Sequence, residues 1–206
     1  LVVMNDAIKT DTCGAYIRAM LADDFVGLST PEPIFDMQSI PAKYMTAEMK
    51  TFRNILYVEM SDTINMEGVR FYNDYWATPQ AFISVRAKNK TSLLSLLEEN
   101  HIKIVSFLVK SERDRLIAFN RKAGSNSLGN DIKERYGISL VIPNTFSKCN
   151  PKNAEDMSWI QIDTDESQCG MFVYSYDYTS EECFTKEYIL NHRDKLLRDN
   201  VEGPNG

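Results

Sequence analysis

The stretch that decides the fold runs from residue 81 to residue 119 and reads AFISVRAKNKTSLLSLLEENHIKIVSFLVKSERDRLIAF. Its first seven residues, Ala81–Ala87, are rich in strand-forming side chains and predict a strand, neither face of which is polar except near Arg86. From Thr91 to Phe119 apolar residues recur every three or four positions, which predicts a long amphipathic helix: Leu93, Leu94, Leu97, Ile104, Phe107 and Leu108. The chain therefore combines strands with a long helix that has an apolar face.

Strand and helix patterns continue on both sides of this stretch. The strands are predicted at 1–4, 54–60, 69–75 and 138–142, and a hairpin joins 159–163 to 171–178 across a turn at Asp165–Gly170. Further helices are predicted from Asp11 or Thr12 to Ala22, at Thr46–Thr51, from Asn130 or Asp131 to Gly137, and from a capping box at Thr179–Glu182 to Asn200.

This order of elements predicts an α+β protein in which helices pack on one face of a mainly antiparallel sheet. Residues 1–142 resemble a ferredoxin-like (split βαβ) element, and a β-β-α extension follows. We expect a single domain over 1–206, with a subdivision into 1–142 and 143–206 as the alternative. The closing residues 202–206 have turn chemistry, so we expect the second part to be truncated at its C-terminus.

Composition places the chain among globular proteins, with 43% hydrophobic and 25% charged residues in a length of 206. No run approaches the roughly 18 apolar residues that a membrane-spanning helix needs. The net charge of −6 argues against a general nucleic-acid binder, so no nucleic-acid partner is predicted. Residues 84–152 are basic between acidic flanks, which fits a neutralised helix pair or, alternatively, an anion-binding segment.

No catalytic, metal or cofactor motif is present in the sequence. None of the four cysteines, Cys13, Cys149, Cys169 and Cys183, forms a C-x-x-C pair. Two states stay open: a disulfide between Cys149 and Cys169 in an oxidising compartment, or unpaired, mostly buried thiols. The two histidines, His101 and His192, lie in predicted helices without metal-ligand spacing. We therefore predict no catalytic residue, no metal site and no cofactor.

Two clusters carry the remaining functional signals. Tyr72, Tyr75 and Trp76 lie together in a polar stretch, where they form either a binding platform for a sugar or a peptide, or a packing contact at the end of a strand. The run from Glu112 to Arg115 reads as a salt-bridged helix surface, with an arginine lining an anion-binding cleft as the alternative. The three aromatic residues are the predicted binding residues.

Several segments together resemble a known family. They are Gly27–Phe35 (GLSTPEPIF), Ile40-Pro41, Phe52–Leu56 (FRNIL), Ala77–Gln80 (ATPQ), Tyr136–Leu140 (YGISL) with Pro143, His192–Asp194 (HRD) and Gly203-Pro204. Their order and spacing resemble a Bacteroidetes lipoprotein family, domain of unknown function 4837, over essentially the whole chain.

The resemblance implies a location rather than an activity. It implies a protein of the cell envelope, held by a lipid on a cysteine upstream of Leu1 and facing the periplasm or the cell surface. The expected role is non-catalytic binding or scaffolding of an unknown envelope component, with no transmembrane span. The alternative is an envelope hydrolase that acts on glycan or peptide, which would need two carboxylates or a nucleophile and base in one groove.

Overall fold

A computed structural model describes residues 1–24, 31–123, 126–149, 157–163 and 168–200. The chain divides into two compact units, Leu1–Arg115 and Leu116–Gly206. Whether the chain is one domain, and whether 142 is its boundary, stays a prediction. Three predicted features lie wholly or partly outside the described residues: the motif residues 27–30, residues 165–167 of the turn at 165–170, and the end of the chain at 202–206. The side chain of Cys149 is not described either.

The first unit is built on a five-stranded sheet with the order β2-β1-β3-β5-β4. Its strands are β1 (Val2–Val3), β2 (Ser39–Ile40), β3 (Asn54–Met60), β4 (Gly68–Asn73) and β5 (Ala81–Ala87). Its helices are α1 (Asp6–Lys9), α2 (Thr12–Leu21), two short 3-10 turns at Ala42–Tyr44 and Met49–Thr51, and α3 (Lys90–Ala123), which runs past the end of the unit. The predicted strands at 54–60 and 81–87 are thus confirmed.

The α+β class is confirmed, but the strand directions in this sheet differ from the ferredoxin-like expectation. Pairings of β1 with β2, β1 with β3 and β3 with β5 are all parallel, and only β4 runs antiparallel to its neighbour β5. The chain returns through α1 and α2 before β2, so β2 lies directly beside β1 in the same direction. A split βαβ element would instead leave an antiparallel strand between them.

The helices cover one face of this sheet, as predicted. Ile17 and Met20 of α2, and Leu97 and Ile104 of α3, are fully buried in one cluster with Ile83 of β5. Asp11 begins α2, because its carboxylate accepts the backbone N–H groups of Cys13 and Gly14. The opposite face of the sheet has a smaller cluster built on Val3, Ile55 and Phe82, to which no helix of the first unit contributes among the described residues.

The second unit contains helices and a three-stranded antiparallel sheet. Its elements are α4 (Asn126–Tyr136), β6 (Ser147–Cys149), β7 (Met157–Asp163), β8 (Gln168–Tyr174), a 3-10 turn at Glu181–Phe184 and α5 (Lys186–Asn200). The predicted hairpin is confirmed as the pair β7–β8. Gly137 ends α4 with a φ of 70°, as expected for a left-handed residue after a helix. Ile132 of α4, Ile142 and Ile160 of β7 form its core.

Two predictions in this unit are wrong. Residues 138–142 form no strand, because the apolar character of the segment serves to bury Ile142 against α4 and β7 rather than to pair with a neighbour. The predicted capping box at 179–182 does not open the last helix. The 3-10 turn intervenes, and the Thr185 hydroxyl accepts the backbone N–H of Tyr188 at the start of α5 instead.

Candidate functional site

The three predicted binding residues lie together on the sheet face opposite α2 and α3. Tyr72 is in β4, and Tyr75 and Trp76 are in the loop that joins β4 to β5. All three pack around the buried ring of Phe82, with centroid distances of 5.9, 4.3 and 4.7 Å respectively. We call Tyr72, Tyr75 and Trp76 the aromatic surface.

Tyr75 and Trp76 present different parts of their rings. Tyr75 lies flat on Phe82, with an interplanar angle of 9°, and remains 49% exposed. Trp76 stands at 69° to Tyr75, with ring centroids 5.0 Å apart, and is 37% exposed. The two rings are therefore steeply inclined to each other and form a corner, and part of the Tyr75 side of this corner is open to solvent.

Gln80 fixes the loop that holds these rings. Its side chain is 3% exposed, and its Oε1 accepts the backbone N–H of Trp76 at 2.9 Å. Its Nε2 donates to the backbone carbonyls of Lys50 and Phe52, at 2.6 and 2.8 Å. The Gln80 backbone N–H donates to the Asp74 carboxylate, and the Asp74 N–H donates to the Gln80 carbonyl. One buried amide thus joins the loop to residues 50–52.

A cation completes the arrangement. The Lys50 ammonium lies 5.6 Å from the ring centroid of Trp76, within the range of a cation–π contact. Within the described part of the chain, no carboxylate forms an ion pair with Lys50. The sequence predicted Tyr72, Tyr75 and Trp76 as binding residues, and Tyr72 is half-buried. It gave no sign of the roles of Gln80, Phe82 and Lys50, although Pro79 and Gln80 lie in one of the segments that carry the resemblance.

Of the two interpretations of these rings, the structure shows the packing contact, and the binding platform stays a prediction. Tyr75 and Trp76 cover Phe82, which is 4% exposed, so they contribute to packing. Both rings also remain partly exposed to solvent. The neighbouring chain at residues 51–54 lines an open depression of about 430 Å³ with Leu1.

The mixed-charge run at 112–115 forms a polar network rather than a free arginine. Arg115 donates to Glu112 and to the Asn54 side chain, both at 2.7 Å. Burial alone would raise the pKa of Glu112. The hydrogen bond and charge of Arg115, together with the Asn54 amide, hold that pKa below its usual value. Arg115 is therefore engaged within the first unit, which leaves the predicted salt-bridged helix surface as the better description.

The two histidines and two of the cysteines, Cys13 and Cys183, take part in packing. The Tyr16 hydroxyl lies 3.0 Å from Nδ1 of His101, and His192 packs against Tyr176 with ring centroids 4.7 Å apart. Hydrogen bonds from Thr179 lower the pKa of Cys183 to about 7, but this thiol is 1% exposed. Cys13 is also buried, whereas the free thiol of Cys169 is exposed.

Among the described residues, no group of three or more histidine, cysteine, aspartate or glutamate side chains is placed to hold a metal ion. Likewise, none of the helices in that part of the chain is both long and apolar enough to cross a bilayer.

Two family models match the chain. A family described as Domain of unknown function (DUF8532) matches residues 1–120, and one described as Domain of unknown function (DUF4837) matches residues 125–206. The resemblance found in the sequence is thereby confirmed for residues 125–206. Its segments between residues 27 and 80 lie in the part matched by the other family. No match is found among curated proteins or among solved structures.

Proposed function

The chain belongs to the family described as Domain of unknown function (DUF8532), and from this premise we propose that it is a non-catalytic binding or scaffolding domain of the cell envelope. The observation that carries the proposal is the aromatic surface. Exposed aromatic side chains that a buried hydrogen-bond network holds in place bind a ligand with little loss of conformational entropy. Gln80 supplies that network here.

The envelope location is proposed from the second part of the chain. The match of residues 125–206 to domain of unknown function 4837 supports it, because the resemblance implies lipoproteins of Bacteroidetes. We propose that the protein is attached by a lipid upstream of Leu1 and faces the periplasm or the cell surface. Fractionation of cells that express the whole gene tests this. Recovery with the membrane, lost on mutating the lipid-accepting cysteine, supports it, and recovery in the cytoplasm contradicts it.

Binding is tested by the fluorescence of Trp76 alone. The chain has two tryptophans, so a Trp159→Phe background makes Trp76 the sole reporter. The probes are an N-acetylglucosamine trimer, a galacturonic acid trimer and a proline-rich decapeptide, because sugars and proline-rich segments both bind to aromatic surfaces. The proposal predicts a saturable change in Trp76 emission for at least one probe.

Two matched tyrosine variants test whether the emission change depends on the aromatic surface or on any exposed tyrosine. Tyr75→Ala should abolish the change. Tyr178→Ala, at a tyrosine that is 65% exposed in the second unit, should leave it intact. Absence of any response to all three probes, or a response that Tyr75→Ala leaves unchanged, refutes the proposed binding role of this surface.

The hydrolase alternative would rest on Cys183, because hydrogen bonds from Thr179 to this thiol lower its pKa to about 7. Thiolates are the nucleophilic form of cysteine, so such a thiol is partly activated at neutral pH. Because the side chain is 1% exposed, however, no substrate carbonyl reaches it without a rearrangement. Release of peptides from isolated envelope material, lost in Cys183→Ala, would favour the hydrolase over the binding role.

A further inference from the structure

The corner formed by Tyr75 and Trp76 has a neighbouring cation, and this combination indicates a ligand class. We propose that the aromatic surface binds a saccharide that carries a carboxylate group. The sugar ring lies against Tyr75 and the carboxylate lies at Lys50. This inference rests on the proposed function and adds the chemistry of its ligand.

The shape of the corner favours a saccharide. Tyr75 stacks one face on Phe82 at 4.3 Å and is 49% exposed, so part of the residue remains accessible to a ligand. The face of an aromatic ring carries partial negative charge, so it attracts the polarised C–H groups on one side of a sugar ring. Trp76, at 69° to Tyr75, bounds this area on one side.

The charge beside the corner favours an acidic sugar. Lys50 lies 5.6 Å from the Trp76 centroid and has no ion-pair partner among the described residues. Its backbone is fixed, because the Lys50 carbonyl accepts from the buried Gln80 amide. The carboxylate of the same loop, Asp74, accepts the Gln80 N–H and forms no ion pair with Lys50 among the described residues. Lys50 is therefore available to a carboxylate on the ligand.

A neutral sugar or an acidic peptide fits less well. A neutral sugar would use the stacking area but would leave the Lys50 charge unmatched. An acidic peptide could pair with Lys50, but its flexible carboxylate side chains offer no flat apolar side to Tyr75, and ordering them costs conformational entropy. A carboxylated sugar ring offers both features on one rigid frame.

The test compares a galacturonic acid trimer with its trimethyl ester, which keeps the sugar rings and removes the charges. Both are titrated into the full 206-residue chain carrying Trp159→Phe, at low salt. An exposed ion pair contributes a modest preference, so we expect the acid to bind about threefold more tightly than the ester. Added salt should reduce that ratio, because it screens exposed charges.

Two lysine variants test which lysine causes the preference for the acid over the ester. Lys50→Met should bring the ratio of the two affinities to about one. Lys43→Met removes a second lysine that lies over an aromatic ring, Tyr44, in the same unit, and should leave the ratio unchanged.

The outcomes separate this inference from the proposed function. If acid and ester bind equally and both depend on Tyr75, the proposed function stands and the acidic ligand is refuted. If a glutamate-rich peptide binds and neither sugar does, the ligand class is likewise overturned. If neither the sugars nor any peptide binds, both proposals fail.

Discussion

Replacement of Gln80 by leucine should destabilise the first unit and disorder the aromatic surface. Leucine has a similar volume, so the change removes polar contacts without opening a large cavity. Three side-chain hydrogen bonds are lost, to the backbone groups of Lys50, Phe52 and Trp76. A typical hydrogen bond contributes about 1 kcal/mol net, so the expected loss in the free energy of unfolding is about 3 kcal/mol.

The assay is urea unfolding of Gln80→Leu in the Trp159→Phe background, followed by the emission of Trp76. This tryptophan lies in the first unit and therefore reports on that unit. Gln38→Leu is the control, because Gln38 is exposed and its side chain makes no hydrogen bond among the described residues, so its effect should stay within about 0.5 kcal/mol. Equal, small effects of the two substitutions would refute the claim that Gln80 holds the loop.

Three other predictions concern stability. Gly14→Ala should destabilise the first unit by about 1–3 kcal/mol in urea unfolding, because the new Cβ would lie 2.3 and 2.5 Å from the carbonyl oxygens of Ile8 and Lys9. Helix propensity alone predicts the opposite, a gain of about 1 kcal/mol. A gain in stability would therefore contradict the packing of α1 on α2. The pKa of Glu112 is lowered on folding, so its contribution is present above its usual value of about 4.5 and is lost as the pH falls below that value. Between pH 5 and 3, Glu112→Gln should therefore lose less stability than the parent chain in unfolding titrations, and identical slopes would exclude a role for this carboxylate. Thr185→Ala should reduce the stability of the second unit by about 1 kcal/mol, since the Thr185 hydroxyl caps α5. The measurement is a thermal melt followed by helical circular dichroism, and an unchanged melt would show that another group begins the helix.

Local sequence patterns predicted the individual elements of the first unit well, but not their directions. The strands at 54–60 and 81–87 have their predicted bounds, because runs of β-branched and aromatic residues favour extended backbone. The absence of a polar face in 81–87 was itself a sign of a strand covered on both sides, which is typical of parallel sheets. Strand direction depends on which elements meet in space, and spacing along the chain does not determine that.

The second unit shows where an apolar pattern has more than one structural meaning. Residues 138–142 have the composition of a strand, yet Ile142 is buried as part of an irregular segment. Short apolar runs predict burial more securely than they predict pairing.

The aromatic surface shows how far a site can be predicted from the sequence. Tyr72, Tyr75 and Trp76 lie close to one another in the chain, so their clustering was visible. Lys50 is 26 positions from Trp76 and reaches it only because Gln80 joins residues 50–52 to the loop. A buried glutamine looks in sequence like any polar loop residue, so this connection could not be predicted.

The central claim is that the aromatic surface binds a ligand, and the indole N–H resonance of Trp76 tests it most directly. In ¹⁵N-labelled Trp159→Phe protein this is the one indole signal, so its assignment needs no further variant. Titration with the galacturonic acid trimer should shift the signal progressively to a plateau, and Tyr75→Ala should abolish the shift. A signal that stays fixed while the trimer and the other probes reach millimolar concentrations would contradict the account.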